Sequence, residues 1–140
     1  MKPDSEAPSV SHSHPVPCIL LVHADPFALG RIETLLFNEG YGVVAVSSFE
    51  VGSELLRTLA PDMLVADIRL DAFNGLHLAA RSHFNQSARP VIVTHASYDP
   101  VLEKHAKDLG AAFVVKPLEN PEFPKQVRAA FEEVRCTQRA

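Results

Sequence analysis

Side chains that can carry out chemistry follow four apolar runs of this 140-residue sequence. The residues after these runs are His23, Ala24 and Asp25, then Asp67, then Thr94 and His95, and finally Lys116. A carboxylate such as that of Asp67 can form an acyl phosphate, and a lysine such as Lys116 can stabilise the charge of a phosphoryl group. If the two residues meet in the fold, their types favour phosphoryl transfer. The alternative is that they are solvated residues or helix caps, which are common at strand ends.

The apolar runs are predicted to be strands of a parallel sheet. The first run, residues 18–22, is continuous rather than alternating, as expected for a strand that is covered on both faces. Short runs of this kind alternate with longer amphipathic stretches, which is typical of repeated βα units. The predicted strands are residues 18–22, 43–46, 63–66, 91–94 and 112–115. The predicted fold class is therefore α/β, a doubly wound five-stranded parallel sheet, in which sites form beyond the carboxyl ends of the strands.

Capping residues predict where the helices begin and end. The predicted starts are Asp25-Pro26, Asp99-Pro100, Asn120-Pro121 and a capping box of Ser47 with Glu50. Gly40 predicts a left-handed C-cap for the first helix. The loop residues Asn74 and Gly75 are interpreted as the start of the third helix.

One folded domain with two short tails is expected from the length and composition. Residues 1–17 are rich in Pro, Ser and His and poor in large apolar residues, so we predict a disordered tail there. The folded domain is predicted to span residues 18–135, and residues 136–140 form a short C-terminal tail. Because so little sequence follows the last predicted helix, no output domain is expected.

Composition also excludes several classes of partner. The net charge is −4 and no five like charges occur in a row, which disfavours nucleic acid and polybasic membrane binding. No apolar run approaches a membrane span, and the N-terminus has no signal-peptide pattern. Cys18 and Cys136 lack metal-ligand spacing, so reduced thiols and a cytoplasmic location are expected.

Three blocks of the sequence resemble bacterial two-component response regulator receiver domains, the CheY-like family. They are PDMLVADIRLDAFNGLHLA, PVIVTHAS and GAAFVVKPLENPEF. The resemblance implies the flavodoxin-like receiver fold and a signalling module rather than an enzyme. It implies that Asp67 accepts a phosphoryl group and that Lys116, Thr94 and His95 contact it. Phe113 falls on the aromatic position that changes rotamer on activation, and His95 stands where the family has a hydroxyl residue.

The stretch that follows the first predicted strand departs from the family pattern at the metal site. The family usually places two acidic residues after the first strand to hold Mg²⁺, and those positions are His23 and Ala24 here. Mg²⁺ prefers oxygen ligands, which an alanine lacks and an imidazole does not supply. Asp25 and Asp67 remain as carboxylates for a weak or absent Mg²⁺ site, so slow or absent phosphotransfer is expected. Asp71 also departs, since it stands where the family usually has a proline.

Loss of the acidic pair has two further consequences to be tested. Asp67 has fewer like-charged neighbours, so Lys116 could pair with it directly in the resting state. A transition-metal site formed by His23, His95, Asp25 and Asp67 is a second hypothesis. The competing interpretation is that the two histidines form backbone hydrogen bonds.

Two functions follow from the resemblance and the departures from it. The first is a response regulator in a phosphorelay, with Asp67 as phosphoacceptor. The second is a phosphorylation-independent pseudo-receiver that acts as a protein-interaction module. The resemblance implies a histidine kinase or phosphotransfer protein as one partner. It also implies that the face spanning residues 99–134 contacts an output protein or a second copy of the chain.

Overall fold

The computed structural model describes residues 16–70, 74–85, 88–116, 118 and 122–139, with side chains up to residue 133. Five strands alternate with five helices along the chain. In order they are β1 (Cys18–Val22), α1 (Pro26–Asn38), β2 (Gly42–Val46), α2 (Phe49–Thr58), β3 (Met63–Asp67), α3 (Gly75–Asn85), β4 (Val91–His95), α4 (Pro100–Asp108), β5 (Ala111–Val115) and α5 (Glu122–Arg139). No helix among the described residues is long and apolar enough to cross a membrane.

The five strands form one parallel sheet in the order β2-β1-β3-β4-β5. The predicted doubly wound α/β fold is therefore confirmed. The strand order reverses between β1 and β3, and ligands of such sheets bind in the crevice beyond the carboxyl ends at that point. Asp67 lies opposite Thr94 in the register of β3 with β4. His95 lies opposite Val115 in the register of β4 with β5.

Helices cover both faces of the sheet and divide the core into two layers. One layer joins α1 and α5 to Ile19, Leu21, Met63, Val65 and Ile92 of the sheet. The other joins α2, α3 and α4 to the alternate strand residues, which include Leu64, Ala66, Val91 and Val93. Because successive side chains of a strand point to opposite faces, this alternation continues to the strand ends. It places Asp67 and Thr94 on the α1–α5 face and His95 on the α2–α4 face.

The helix caps mostly follow the sequence prediction. The side chain of Asp25 accepts a hydrogen bond from the Phe27 amide at 3.0 Å, with Pro26 in the first turn of α1. Asp99 caps α4 in the same way, with bonds from the amides of Val101 and Leu102. Gly40 has a φ of +100°, as predicted for a left-handed residue after α1.

The predicted capping box of Ser47 with Glu50 is wrong. Ser48 is the N-cap of α2, and its hydroxyl accepts a hydrogen bond from the Val51 amide at 3.2 Å. The strand before it continues through Val46, so Ser47 is needed to turn the chain before the helix can begin. Glu50 therefore falls in the first turn of the helix, one position short of the capping-box geometry.

Several strands are longer than predicted, and this matters for the site. β3 extends to Asp67 and β4 to His95, so these residues belong to the sheet rather than to loops. The hydrogen-bonded frame of the sheet thus positions them directly. Residues 1–15 of the predicted N-terminal tail, Asp71 and the Asn120-Pro121 helix start lie outside the described residues. Residues 136–139 of the predicted C-terminal tail are the last residues of α5, where the backbone is described and the side chains, including that of Cys136, are not.

Candidate functional site

The centre of the site is the carboxylate of Asp67 at the end of β3. Asp67 is only 3% exposed. Its Oδ1 atom lies 3.1 Å from Nζ of Lys116, which follows β5. The ion pair predicted from the sequence is therefore present. The Lys116 side chain is 25% exposed, so water reaches the cation but hardly reaches its partner.

Thr94 supplies a second contact to the same carboxylate oxygen. Its hydroxyl donates a hydrogen bond of 2.8 Å to Oδ1 of Asp67, and Thr94 is 1% exposed. Both donors thus meet at Oδ1, whereas the described residues give Oδ2 no hydrogen bond. Hydrogen bonds to an ionised acceptor are stronger than neutral ones, so the pair of donors holds the carboxylate in one orientation.

The start of α3 packs directly against the backbone of Asp67. Gly75 is the first residue of α3, and its amide donates to the carbonyl of Ile68 at 3.0 Å. A Cβ atom at Gly75 would overlap the carbonyl oxygen of Asp67 and lie 2.9 Å from its carbonyl carbon. Asn74 caps the helix by accepting from the amides of Leu76 and His77. Only glycine therefore fits at position 75. The Asn74-Gly75 pair in the sequence predicted a helix start but not this close contact.

The junction of β1 and α1 carries no carboxylate beyond that of Asp25. His23 is 4% exposed, and its Nδ1 accepts a hydrogen bond of 3.1 Å from the Asp25 amide. The His23 amide donates to the carbonyl of Val46. The Asp25 side chain is the N-cap of α1, and Ala24 is exposed. His23 therefore makes the backbone hydrogen bonds that were the competing interpretation of the strand-end histidines.

The donor set at this junction does not fit Mg²⁺. The ion requires oxygen ligands in near-octahedral geometry. Ala24 offers no ligand, and the Nδ1 atom of His23 is a nitrogen that already accepts a backbone hydrogen bond. Asp25 uses its carboxylate oxygen to cap α1. The chemistry of these residues supplies neither of the two carboxylates that the family places here.

The transition-metal hypothesis for His23, His95, Asp25 and Asp67 is wrong for the residues as the structure places them. Within the described ranges, no three His, Cys, Asp or Glu side chains form a group that could hold a metal ion. The physical reason is the alternation of β4, which directs His95 to the sheet face opposite Asp67. Asp25 in turn is committed to the end of α1.

His95 belongs to an aromatic cluster on the α2–α4 face. Its ring centroid lies 6.3 Å from that of Phe113, and Tyr98 packs edge-on against Phe113 at the same distance. The buried Nδ1 atom of His95 has no hydrogen-bond partner in the described part of the chain. The Tyr98 hydroxyl donates to Glu103 at 2.8 Å, and this bond raises the pKa of Tyr98. In this structure Thr94 contacts Asp67, whereas His95 contacts Phe113.

The arrangement of Asp67, Thr94 and Lys116 can accept an electrophile at one oxygen. The carboxylate is buried, oriented and paired with a cation that can stabilise added negative charge. The sequence indicated each of these residue types. The direct hydrogen bond from Thr94 and the contact at Gly75 were not foreseen, since both depend on the register of β3 with β4 and on how α3 packs.

A family model described as the response regulator receiver domain matches residues 19–128. The transcriptional regulatory protein GlrR of Escherichia coli K12 is 28% identical over 123 residues, covering 86% of this chain and 28% of that protein. AfsQ1 of Streptomyces coelicolor, also a transcriptional regulatory protein, is 29% identical over 119 residues, covering 81% of this chain and 51% of that protein. The chain thus spans about a quarter to a half of the length of these curated relatives.

Solved structures show the same fold. A CheY-like response regulator receiver domain protein from Methanospirillum hungatei JF-1 has a TM-score of 0.82 at 20% identity, over 87% of this chain and 98% of that chain. The chemotaxis protein CheY4 of Vibrio cholerae has a TM-score of 0.74 at 17% identity, over 81% of this chain and 97% of that chain. At these identities the likeness concerns the fold alone.

Proposed function

The chain belongs to the response regulator receiver family of two-component systems, and on this premise we propose that Asp67 accepts a phosphoryl group. The observation that carries the proposal is the buried carboxylate of Asp67, whose Oδ1 atom contacts both Lys116 and Thr94. Receiver domains are in general signalling modules rather than enzymes, so the phosphoryl group on Asp67 would be the signal and not an intermediate of turnover.

The geometry favours Oδ2 as the attacking atom. Thr94 and Lys116 occupy Oδ1, so an electron pair on Oδ2 forms the bond to phosphorus. The bond from phosphorus to the donor's nitrogen or oxygen breaks, and its electron pair leaves with the donor. Lys116 lies close enough to move from the carboxylate to the new phosphoryl oxygens. Its charge then compensates the negative charge that the carboxylate has gained.

Transfer to Asp67 is proposed to be slow. The family typically binds Mg²⁺ beside the phosphoacceptor, and His23 and Ala24 replace the two acidic residues that would hold it. Without that ion, Lys116 is left as the cation that neutralises the transferring group. No step of the reaction is therefore assigned to a metal in this chain.

The test is intact-mass spectrometry of the full chain with acetyl phosphate over time. We expect slow addition of one phosphoryl group that requires Asp67 and is absent from Asp67→Asn. A His23→Asp, Ala24→Asp double variant in Mg²⁺ is expected to react faster than the wild-type chain. Addition that persists in Asp67→Asn would contradict the assignment of the acceptor. Rapid, stoichiometric, Mg²⁺-dependent addition to the wild-type chain would contradict the slow transfer.

A second candidate function is a phosphorylation-independent pseudo-receiver. The observation that favours it is the β1–α1 junction, where His23 is buried and hydrogen-bonded to the backbone in place of a metal ligand. In this case the ion pair of Asp67 and Lys116 is permanent and the surface of the domain alone carries the function. Absence of any phosphoryl addition from both acetyl phosphate and a purified histidine kinase domain would select this candidate.

Partners are proposed from the family and from the exposed surface. Response regulators interact with histidine kinases and output domains, and a kinase or phosphotransfer protein is the proposed donor here. The proposed output or dimer contact is the face spanning residues 99–134, where Val101 and Val115 are exposed apolar side chains. Two relatives, MtrA and EvgA, are described as DNA-binding. The net charge of −4 of this chain favours protein partners instead. The proposed location is the cytoplasm.

A further inference from the structure

A groove between α2 and α3 is separate from the Asp67 site. It has a volume of about 570 Å³, within the range of ligand-binding clefts, and it is open to solvent. The residues that matter in its lining are Phe49, Glu54, Arg57, His77, Arg81 and Phe84. No residue of the candidate phosphoacceptor site belongs to this lining. The groove therefore requires its own explanation.

The floor of the groove holds a cation in a fixed position. Phe49 is 5% exposed, and the guanidinium carbon of Arg81 lies 5.5 Å above its ring centroid. The ring of His77 meets Phe49 edge-on at 6.3 Å. Stacking on an aromatic face orients a guanidinium and leaves its N–H groups free to bind a carboxylate. The guanidinium of Arg81 is therefore held in this orientation without a ligand.

The charge of the groove is not balanced. Arg57 pairs with Glu54 at 2.7 Å, whereas no carboxylate of the described residues lies within ion-pair distance of Arg81. The chain as a whole has a net charge of −4, so an unbalanced arginine in a groove runs against the overall charge. Two arginines without a longer basic stripe are too few to follow a nucleic-acid backbone. The complementary ligand is a single carboxylate or a short acidic segment.

The rim of the groove adds an apolar contact. Phe84, in the last turn of α3, is 91% exposed. A phenylalanine with this exposure gains from an apolar partner, and interface contacts of this kind are enriched in aromatic residues and arginine. Arg81 and Phe84 line one groove on the same helix, so one ligand can supply both the carboxylate partner and the apolar partner.

We propose that the α2–α3 groove binds an acidic peptide segment of a partner protein. A carboxylate of the segment pairs with Arg81, and a neighbouring apolar side chain packs on Phe84. An open groove between two helices suits an extended or helical segment, as in other peptide-in-groove complexes. This interaction does not depend on phosphorylation of Asp67.

A random peptide library displayed on phage and selected against the full chain tests the proposal. We expect the selected peptides to carry Asp or Glu beside Leu, Phe or Trp. Their affinity, measured by fluorescence anisotropy, should fall about tenfold or more in Arg81→Gln, since a charge-assisted hydrogen bond is lost. Phe84→Ser should weaken binding as well. Amide shifts on peptide addition should map to α2 and α3.

Matched controls separate this groove from other exposed positions. Lys104→Gln removes an exposed cation of α4, and Phe37→Ser removes a Phe of α1 that is 67% exposed. Both should leave peptide binding unchanged, as should Asp67→Asn. Circular dichroism verifies that each variant is folded. The proposal is overturned if no peptide is selected, if selected peptides lack acidic residues, or if the controls weaken binding equally. Self-association that Arg81→Gln abolishes would instead identify a second copy as the occupant.

Discussion

Two regions at the carboxyl edge of the sheet differ in what their side chains contact. The acceptor region, formed by Asp67, Thr94 and Lys116, joins three strand ends through one carboxylate oxygen. The β1–α1 junction, formed by His23, Ala24 and Asp25, directs its hydrogen bonds to its own backbone. In the receiver family the first region corresponds to the proposed phosphoacceptor and the second to the metal-binding carboxylates. This chain has the residues of the first and lacks the carboxylates of the second.

The largest expected effect on stability is that of a methyl group added beside Asp67, compared with one added on α1. Gly75→Ala places a Cβ against the Asp67 backbone, which cannot yield as a side chain can. We expect the free energy of unfolding to fall by about 3 kcal/mol or more. Gly30 of α1 has open space around its Cβ position, so Gly30→Ala should stabilise the protein by about 0.5–1 kcal/mol. Urea denaturation of both variants measures the contrast, and equal effects would contradict the close packing at Asp67.

Restoring carboxylates at the junction should make the two regions act together. In His23→Asp with Ala24→Asp, Mg²⁺ affinity should rise on the order of a hundredfold, two factors of ten at about 1.4 kcal/mol each. Three crowded carboxylates should also lower the melting temperature in chelator, and Mg²⁺ should restore it by mass action. The gain should vanish in an added Asp67→Asn change. A wild-type chain that responds to millimolar Mg²⁺ as strongly would contradict this account of the junction.

Removing the cation of the acceptor region tests the ion pair. Lys116→Met leaves the Asp67 carboxylate buried without its partner, which should cost about 1–2 kcal/mol of unfolding free energy; partial exposure of Lys116 keeps the effect moderate. The exposed pair of Lys104 and Asp108 is the control. Lys104→Met should change stability by less than about 0.5 kcal/mol. If the two variants lose equal stability in the same denaturation experiment, the Asp67 pair is no stronger than a surface pair.

The smallest expected effect is that of the Thr94 hydroxyl. Thr94→Val keeps the shape but removes the donor to Oδ1, at a cost of about 1 kcal/mol. Thr94→Ser should recover most of that loss because the hydroxyl returns. The same pair of variants, compared in an Asp67→Asn background, should differ less. An undiminished difference there would mean that the hydroxyl has another partner.

Much of the fold was predictable from local pattern. Continuous apolar runs and Asp-Pro helix starts identified every strand and two of the caps, since burial and capping act over a few residues. The cap of α2 was predicted at Ser47 rather than Ser48, because two adjacent serines satisfy the same pattern. The end of β2 at Val46 decides between the two serines, because Ser47 then lies in the turn and Ser48 caps the helix.

The site was predictable in its residue types and less so in its contacts. Position after a strand and the family resemblance indicated Asp67 and Lys116, and the pairing of the two was foreseen from charge. That Thr94 rather than His95 contacts Asp67 depends on which sheet face each residue occupies. Gly75 required knowledge of how closely α3 approaches β3, which no local pattern contains. The roles of His95, Phe113 and Thr94 toward a phosphoryl group stay predictions.

Thr94 and His95 are consecutive residues of β4 that point to opposite layers of the protein. One peptide unit therefore connects the carboxylate on the α1–α5 side with the aromatic rings on the α2–α4 side. Because successive side chains of a strand point to opposite faces, a displacement of the β4 backbone at this point would change both contacts, whereas rotation of the Thr94 side chain alone would change only the first. The end of β4 thus contacts both layers of the protein within two residues, and on the α2–α4 side the contacts continue from His95 through Phe113 to the exposed ring of Tyr98.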